Sequence, residues 1–493
     1  MFLLYEVSTG IIRQKLDMNV FQSIKQDTIK FIEKPAVIEG NYSVSYGQLI
    51  SSAELIASSL KKEGVNRFDR VGLLCSDSID HIAASLAILS LSAVVVPIST
   101  DQTEDEVNTI LDSIEVNFLL FEKGSYSEEC SHSIPVEGFH KKKFHIKNKK
   151  IKKAPCDEYY KINPAFIRFS SGTTGISKGI VLSHEAIIER TDAADKGLKI
   201  TSADVILWVL SMSFHFVVTI LLFLRRGSTI VLCGHRFPES LIEIIVKNNG
   251  TFIYASPFHY NLLANSDLPS AGSFTNIRMA VSTAMKLPDS IADEFYSKFC
   301  IELTEAYGII EVGLPFINLS DNKSNRSSVG KVLPDYELTI FNKDEDGVGE
   351  IHINGKGMLD AYFSPWQSRN NILKDGWFNT GDLGRMDREG FLTIVGRSKD
   401  IINFVGMKIF PYEVESVIDR FPGVKESYVY GEDHPRYGQL PTAKIILEKE
   451  FDKSLVIEDL RRFCYQKLAQ YKVPKVFEFV RQLPKTVSGK IKR

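Results

Sequence analysis

Residues 165–179 read AFIRFSSGTTGISKG. The apolar lead-in AFIRF predicts a strand, which runs into a turn of glycines and hydroxyl residues. Backbone N–H groups and hydroxyls in such a turn can surround phosphate oxygens, and Lys178 adds positive charge. Spacing excludes a P-loop: the interval from Gly172 to Lys178 is one residue too long, and Gly179 stands where Ser or Thr must hold the metal. No dinucleotide-type GxGxxG follows any predicted strand. Taken alone, such a segment is more often a plain surface loop.

Upstream, SYGQLISSAELIASSLKKEG predicts an amphipathic helix ending at Gly64. RVGLLCS then reads as a buried strand, DHIAASLAILSLSA as a helix and VVVPIS as another strand. Helices alternating with short Val/Ile/Leu runs predict α/β layers on a largely parallel sheet. The pattern returns in 203–300, with TIVLC, TFIYAS and IRMAVST as strands. After about residue 330 short strands and turns dominate (YELTIFNKDEDGVGEIHINGKG, GFLTIVG), predicting an antiparallel β unit. Beyond Lys399 the chain has its own β/α alternation, which predicts a small separate domain. The expected division is 1–398 and 399–493.

A length of 493 residues implies more than one domain. A net charge of -2 gives no reason to expect nucleic acid as a partner. Six scattered cysteines without a CxxC pair or a zinc spacing predict free thiols and no structural metal. The start, MFLLYEVSTGIIRQK, lacks the features of a signal peptide, so a cytoplasmic location is expected. Residues 205–224, VILWVLSMSFHFVVTILLFL, approach bilayer-spanning length. Ser211, Ser213, His215 and Thr219 interrupt them, and Gly227 leads into another strand, so a strand, loop and buried helix are expected instead of a membrane span. The run KKKFHIKNKKIKK (141–153) holds eight lysines and no acid. It reads as a solvated surface loop or, alternatively, as a basic arm for a phosphate-bearing ligand.

Further segments fall in a fixed order: AYGIIE (306–311), GWFNTGDLG (376–384), GFLTIVGRSKDIINFVGMKIFPYEVE (390–415) and PKTVSGKIKR (484–493). Together with SSGTTGISKG they resemble the motifs of the adenylate-forming superfamily, which includes acyl- and aryl-CoA synthetases, peptide-synthetase adenylation domains and beetle luciferase. The resemblance covers essentially the whole chain. It implies a large N-terminal domain of two layered α/β subdomains plus a β-barrel-like unit, and a small mobile α+β C-terminal domain. It also implies a reaction: a carboxylic acid joins the α-phosphate of ATP, pyrophosphate leaves, and the acyl group passes to a thiol.

The resemblance assigns roles by position. Lys490 would bridge carboxylate and α-phosphate. Ser170, Ser171, Gly172, Thr173, Thr174, Gly175 and Lys178 would hold the β- and γ-phosphates. Glu311 would bind Mg2+, which neutralises the leaving group. Tyr307 and Gly308 would face the adenine, and Asp382 and Arg397 the ribose. Lys399 occupies the hinge about which the small domain turns between half-reactions, bringing Gly406 to the pantetheine channel, where a side chain would obstruct. One departure stands out: Ile310 replaces the usual Thr, removing a phosphate contact and predicting an altered rate.

The acyl pocket implied by the resemblance draws on three segments. Around SFHF (213–216), His215 stands where amino-acid-activating members carry Asp, which argues against an α-amino acid; His215 is then either a residue beside the reacting groups or, equally, a core residue next to the buried helix. Phe216 adds bulk there, as does Phe258 near Ser256 in YASPFHY. In VSTAMKL (281–287), Ser282 and Thr283 replace paired glycines and lead to Ala284. Larger side chains favour a compact acid, aromatic or of short-to-medium chain. The expected acceptor is CoA. Alternatives are the phosphopantetheine of a carrier protein, and a module that binds nucleotide or acyl-adenylate without turnover.

Overall fold

The computed structural model describes residues 18–126, 134–170, 178–234, 237–266, 274–320, 322–405, 407–448, 453–483 and 485. In it the lead-in strand Pro164–Ser170 belongs to a nine-stranded sheet. Across the middle of that sheet Pro164–Ser170, Val94–Ile98, Arg70–Leu74 and Phe118–Glu122 run parallel. Arg70–Leu74 and Val94–Ile98 are buried along their full length, as strands covered on both faces must be. Lys178–Ser183 runs antiparallel to Pro164–Ser170, with residues 170 and 178 paired across the two strands.

A second nine-stranded sheet contains the parallel strands Leu303–Ile309, Met279–Ser282, Phe252–Ala255, Val205–Trp208 and Thr229–Leu232. Alternation sorts each strand's side chains between two layers. Val71, Leu73 and Val95 of the first sheet share one core with Trp208, Tyr254 and Val281 of the second and with helices between them. Leu74, Val94 and Val96 face the opposite way, towards helix Glu104–Ser113, while Leu207, Ile253 and Ala280 face helices Glu239–Asn248 and Asp289–Phe299. Helix Tyr46–Lys62 begins at a capping box in which Ser45 and Gln48 satisfy each other's backbone N–H groups.

The apolar stretch 205–224 resolves as expected. Val205–Trp208 is a strand, and Met212–His215 opens a buried helix that widens into a π-helical turn at Phe216–Ile220. Among the described residues no helix is long and apolar enough to cross a membrane. The lysine run departs from the solvated loop expected for it. Phe144–Asn148 is a strand between Phe118–Glu122 and Ile134–Val136, with Phe144 and Ile146 buried. Buried Asp80 accepts the N–H groups of His140, Lys141 and Lys142 at 2.6, 3.0 and 2.9 Å, and Lys142 pairs with Glu122 at 3.0 Å. Two apolar side chains at a spacing of two, Phe144 and Ile146, suffice to dock the strand, with the lysines on either side of them.

The antiparallel unit is a four-stranded sheet in the order Tyr336–Phe341, Gly349–Gly355, Phe378–Met386, Leu392–Arg397. From Ile402 onward the chain builds a five-stranded sheet with helices Pro411–Ile418 and Lys453–Lys467 around a core of its own. Arg420 of this part pairs with Asp289 of the large part at 2.6 Å. The described cysteines are free thiols.

Candidate active site

Parallel strands place ligands outside their carboxyl ends. The expected acyl segments gather there. Ser256 follows strand Phe252–Ala255, Ser282 ends Met279–Ser282, and Thr283 and Ala284 follow it. Ala284 holds a left-handed φ of 74°. Phe214 and His215 stand just past the carboxyl end of Val205–Trp208. Ser256 caps helix Pro257–Ala264, with its Oγ 2.8 Å from His259 Nδ1. The Ser282 hydroxyl is buried with no hydrogen-bond partner among the described residues. Phe216 lies deeper than expected, stacked between His81 and Phe166 at 5.8 and 6.4 Å. Phe258 is 54% exposed, so its ring is directed mostly to solvent.

The nucleotide-side residues are brought together from distant parts of the chain. Asp382 and Arg397 are cross-strand partners, with Arg397 Nε 2.9 Å from Asp382 Oδ1. Tyr307, at the end of strand Leu303–Ile309, donates its hydroxyl to Asp382 Oδ2 at 2.5 Å. The Asp382 N–H donates to Thr380 Oγ1 at 3.1 Å. Burial opposes the charge on Arg397, but Asp382 with Tyr412, Tyr307 and Asp400 holds the guanidinium above its ordinary range. Burial likewise pushes the Tyr307 hydroxyl far up, so it remains a donor. Gly308 has no alternative: a Cβ there would stand 2.4 Å from the Gly313 carbonyl oxygen.

Glu311 sits on the turn after this strand. Burial raises its carboxyl, partly offset by its own N–H and by Arg168, Arg397 and Arg190. Three residues not expected from sequence organise it. Tyr362 donates its hydroxyl to Glu311 Oε1 at 3.5 Å, and Lys178 Nζ lies 4.4 Å from the centre of the Tyr362 ring. Arg190 grips the turn, donating to the Ile310 carbonyl at 3.0 Å and to the Gly357 carbonyl at 2.8 and 2.5 Å. Ile310 packs against the central core. Arg168, on the lead-in strand, lies 5.3 Å over Phe214. Its signal was an arginine inside an apolar strand. Tyr362 and Arg190 carried none, because only strand pairing and helix packing bring them near.

Ser171, Gly172, Thr173, Thr174, Gly175, Gly406 and Lys490 lie outside the described residues, as does the side chain of Ser170. Lys399 stands in the short turn Ser398–Asp400, between the four-stranded sheet and the C-terminal one.

The chain matches known proteins over most of its length. The AMP-binding enzyme family matches residues 25–363, and the AMP-binding enzyme C-terminal domain matches residues 413–490. A long-chain-fatty-acid–CoA ligase of Escherichia coli O6:H1 is 27% identical, over 95% of this chain and 92% of its own. The mitochondrial medium-chain acyl-CoA ligase of Rattus norvegicus is 26% identical, over 94% and 84%. The fold matches that of o-succinylbenzoate CoA synthetase from Bacillus subtilis, with a TM-score of 0.80 at 24% identity over 96% of each chain. It also matches ATP-bound MatB from Rhodopseudomonas palustris, with a TM-score of 0.81 at 22% identity over 96% and 97%.

Proposed function

From its membership of the AMP-binding enzyme family, we propose that this chain is an AMP-forming acid–thiol ligase with CoA as acceptor. The observation that carries the reading is the meeting, at one strand edge, of the Tyr307–Asp382–Arg397 cluster with the Lys178–Tyr362–Glu311 cluster. The first offers a carboxylate and an aromatic face to a nucleoside, and the second offers a cation and a carboxylate to its phosphates.

In the first half-reaction a substrate carboxylate oxygen bonds to the α-phosphorus of ATP and the bond to pyrophosphate breaks. In the second, the thiol sulfur bonds to the acyl carbon, AMP leaves and the thiol proton passes to solvent or a base. Asp382 and Arg397 orient the ribose, and Tyr307 and Gly308 border the adenine. Lys178 and the 170–175 segment bind phosphate oxygens, and Lys490 bridges the two reacting anions. Glu311 would hold Mg2+. A single, partly buried carboxylate, with phosphate oxygens of the nucleotide supplying the remaining ligands, is a donor set that would suit this cation. When bound, Mg2+ neutralises the departing pyrophosphate.

The C-terminal part, divided from the rest at 398/399, would turn about Lys399 so that Gly406 lines the thiol channel and Lys490 withdraws. A compact aromatic or short-to-medium acid is favoured. Phe216, held between His81 and Phe166, has little freedom to swing aside, and Ser282 and Thr283 add volume where the acyl segments meet. The relatives named for CoA ligation support CoA over a carrier protein.

ATP–pyrophosphate exchange against a panel of carboxylic acids tests this, with Lys490→Ala as control. Exchange with one group of acids, abolished in the variant, would establish adenylation and the acid class; adding CoA or a holo-carrier protein would then identify the acceptor. No exchange across a broad panel, even in Ile310→Thr, would end the enzyme reading.

A further inference from the structure

The helix that carries Phe214 and His215, Met212–His215, is four residues long and opens onto the π-helical turn Phe216–Ile220. A single helical turn cannot hold its own shape in water. Its local cap is also unused: Ser211 stands at the N-cap position, where serine is favoured, yet its side chain makes no capping hydrogen bond. The Met212 N–H donates instead to Asp77 Oδ1 at 2.9 Å, across 135 positions of sequence. A backbone N–H given to a carboxylate is a charge-assisted bond, stronger than its neutral counterpart.

Asp77 lies between strand Arg70–Leu74 and helix Ile79–Ser90, and both its neighbours are fixed. The Ser76 hydroxyl donates to Glu122 Oε2 at 2.8 Å, and Glu122 pairs with Lys142. Ser78 caps the helix, its Oγ accepting the His81 N–H at 3.2 Å. The same corner touches the acyl segment a second time, through the His81 ring stacked on Phe216 at 5.8 Å. Asp77 thus holds the start of the segment and His81 its continuation. Asp77 follows the carboxyl end of Arg70–Leu74, and Met212 follows that of Val205–Trp208. Their bond therefore joins the carboxyl edges of the two sheets, the side on which parallel sheets bind ligands.

We propose that Asp77 is a positioning residue for the acid substrate: its hydrogen bond to Met212 fixes where the helix presenting Phe214 and His215 begins. This rests on the ligase reading given above, in which that segment borders the acid. Asp77 acts through the backbone of the segment. Its loss is therefore expected on the acid side of the reaction and not on the nucleotide side, which Tyr307, Asp382 and Arg397 organise from other strands.

Pyrophosphate exchange by the full chain, with an acid that the wild type activates, tests this alongside hydrogen–deuterium exchange of the peptide spanning 209–216. Asp77 is exposed, so replacing it leaves the packed core in place. Asp77→Ala should lower kcat/KM for the acid by about fivefold or more and leave KM for ATP within about twofold. It should also speed amide exchange in the peptide by about tenfold. Asp77→Asn keeps an acceptor oxygen of the same reach and should recover kcat/KM for the acid to within about threefold of wild type. Three results would each overturn the proposal and leave the ligase reading intact. They are acid kcat/KM and amide exchange within about twofold of wild type in Asp77→Ala, an equal loss towards ATP, and an Asn variant no better than Ala. If the wild-type chain exchanges with no acid, both fall. If Asp77→Ala does not fold, Asp77→Ser decides: its shorter hydroxyl should give the same loss on the acid side, and unchanged acid kinetics would count against the proposal.

Discussion

The Tyr307 hydroxyl occupies Asp382 Oδ2 at 2.5 Å, while Arg397 takes the other oxygen. A ribose hydroxyl that seeks Asp382 must therefore share its oxygens with, or displace, a tyrosine the protein has already placed there. Tyr307→Phe keeps the ring and removes that competitor. It should bind ATP more tightly by about 1 kcal/mol, roughly fivefold, whereas Tyr307→Ala should bind more weakly. Calorimetric titration reads this directly. Weaker binding by the Phe variant would mean the hydroxyl positions Asp382 for the nucleotide instead of competing with it.

The hairpin carrying Tyr307 and Glu311 has no room at Gly308. A methyl group there meets the Gly313 carbonyl at 2.4 Å, and a backbone atom cannot swing away as a side chain can. Gly308→Ala should cost about 1–3 kcal/mol in denaturant unfolding and abolish exchange. Wild-type stability in this variant would show that the hairpin adjusts freely.

Two carboxyls are pushed up to about 7 by desolvation: buried Glu305, which accepts the Leu287 N–H at 3.1 Å, and partly buried Asp419, which accepts the Ser427 hydroxyl at 2.6 Å. Both folded values lie above the unfolded range near 4, so the folded state holds the extra protons. Stability is therefore complete below that range and declines as pH rises from about 4 through 7. Glu305→Gln keeps the acceptor without the charge. It should gain on wild type as pH rises from 5 to 8, by on the order of 2–3 kcal/mol. Melting curves at the two pH values suffice, and parallel curves for variant and wild type would refute the assignment.

Arg420 and Asp289 link the small and large parts at 2.6 Å, both well exposed. An exposed pair contributes under about 1 kcal/mol, so Asp289→Asn should barely move the melting temperature. If the small part turns between half-reactions, the pair favours one orientation only. Pyrophosphate exchange and thioester formation should then shift in opposite directions by about two- to fivefold, and the double exchange Asp289→Arg with Arg420→Asp should restore them. Parallel shifts in both half-reactions would exclude that role.

The layered α/β plan was legible in the sequence because it rests on local periodicity. The buried runs RVGLL and VVVPI, the helix at 79–90 and the strand–helix reading of 205–224 each follow from the spacing of apolar residues within a few turns of chain. Tyr307, Glu311, Asp382 and Arg397 were singled out for another reason, the resemblance of their segments to the motifs of a known family. Nothing local signalled that Phe144–Asn148 would dock as a strand, because its lysines hid a two-residue apolar face and Asp80, which anchors the loop before it, lies 60 residues upstream. Only the tertiary structure showed that Tyr307 occupies Asp382, that Tyr362 joins Lys178 to Glu311, and that Arg190 grips the turn at Ile310. Sequence by itself determined the buried parallel strands, the helices between them and the order of the motifs. Pairing of distant strands, and the burial that follows, decided which charges meet which partner.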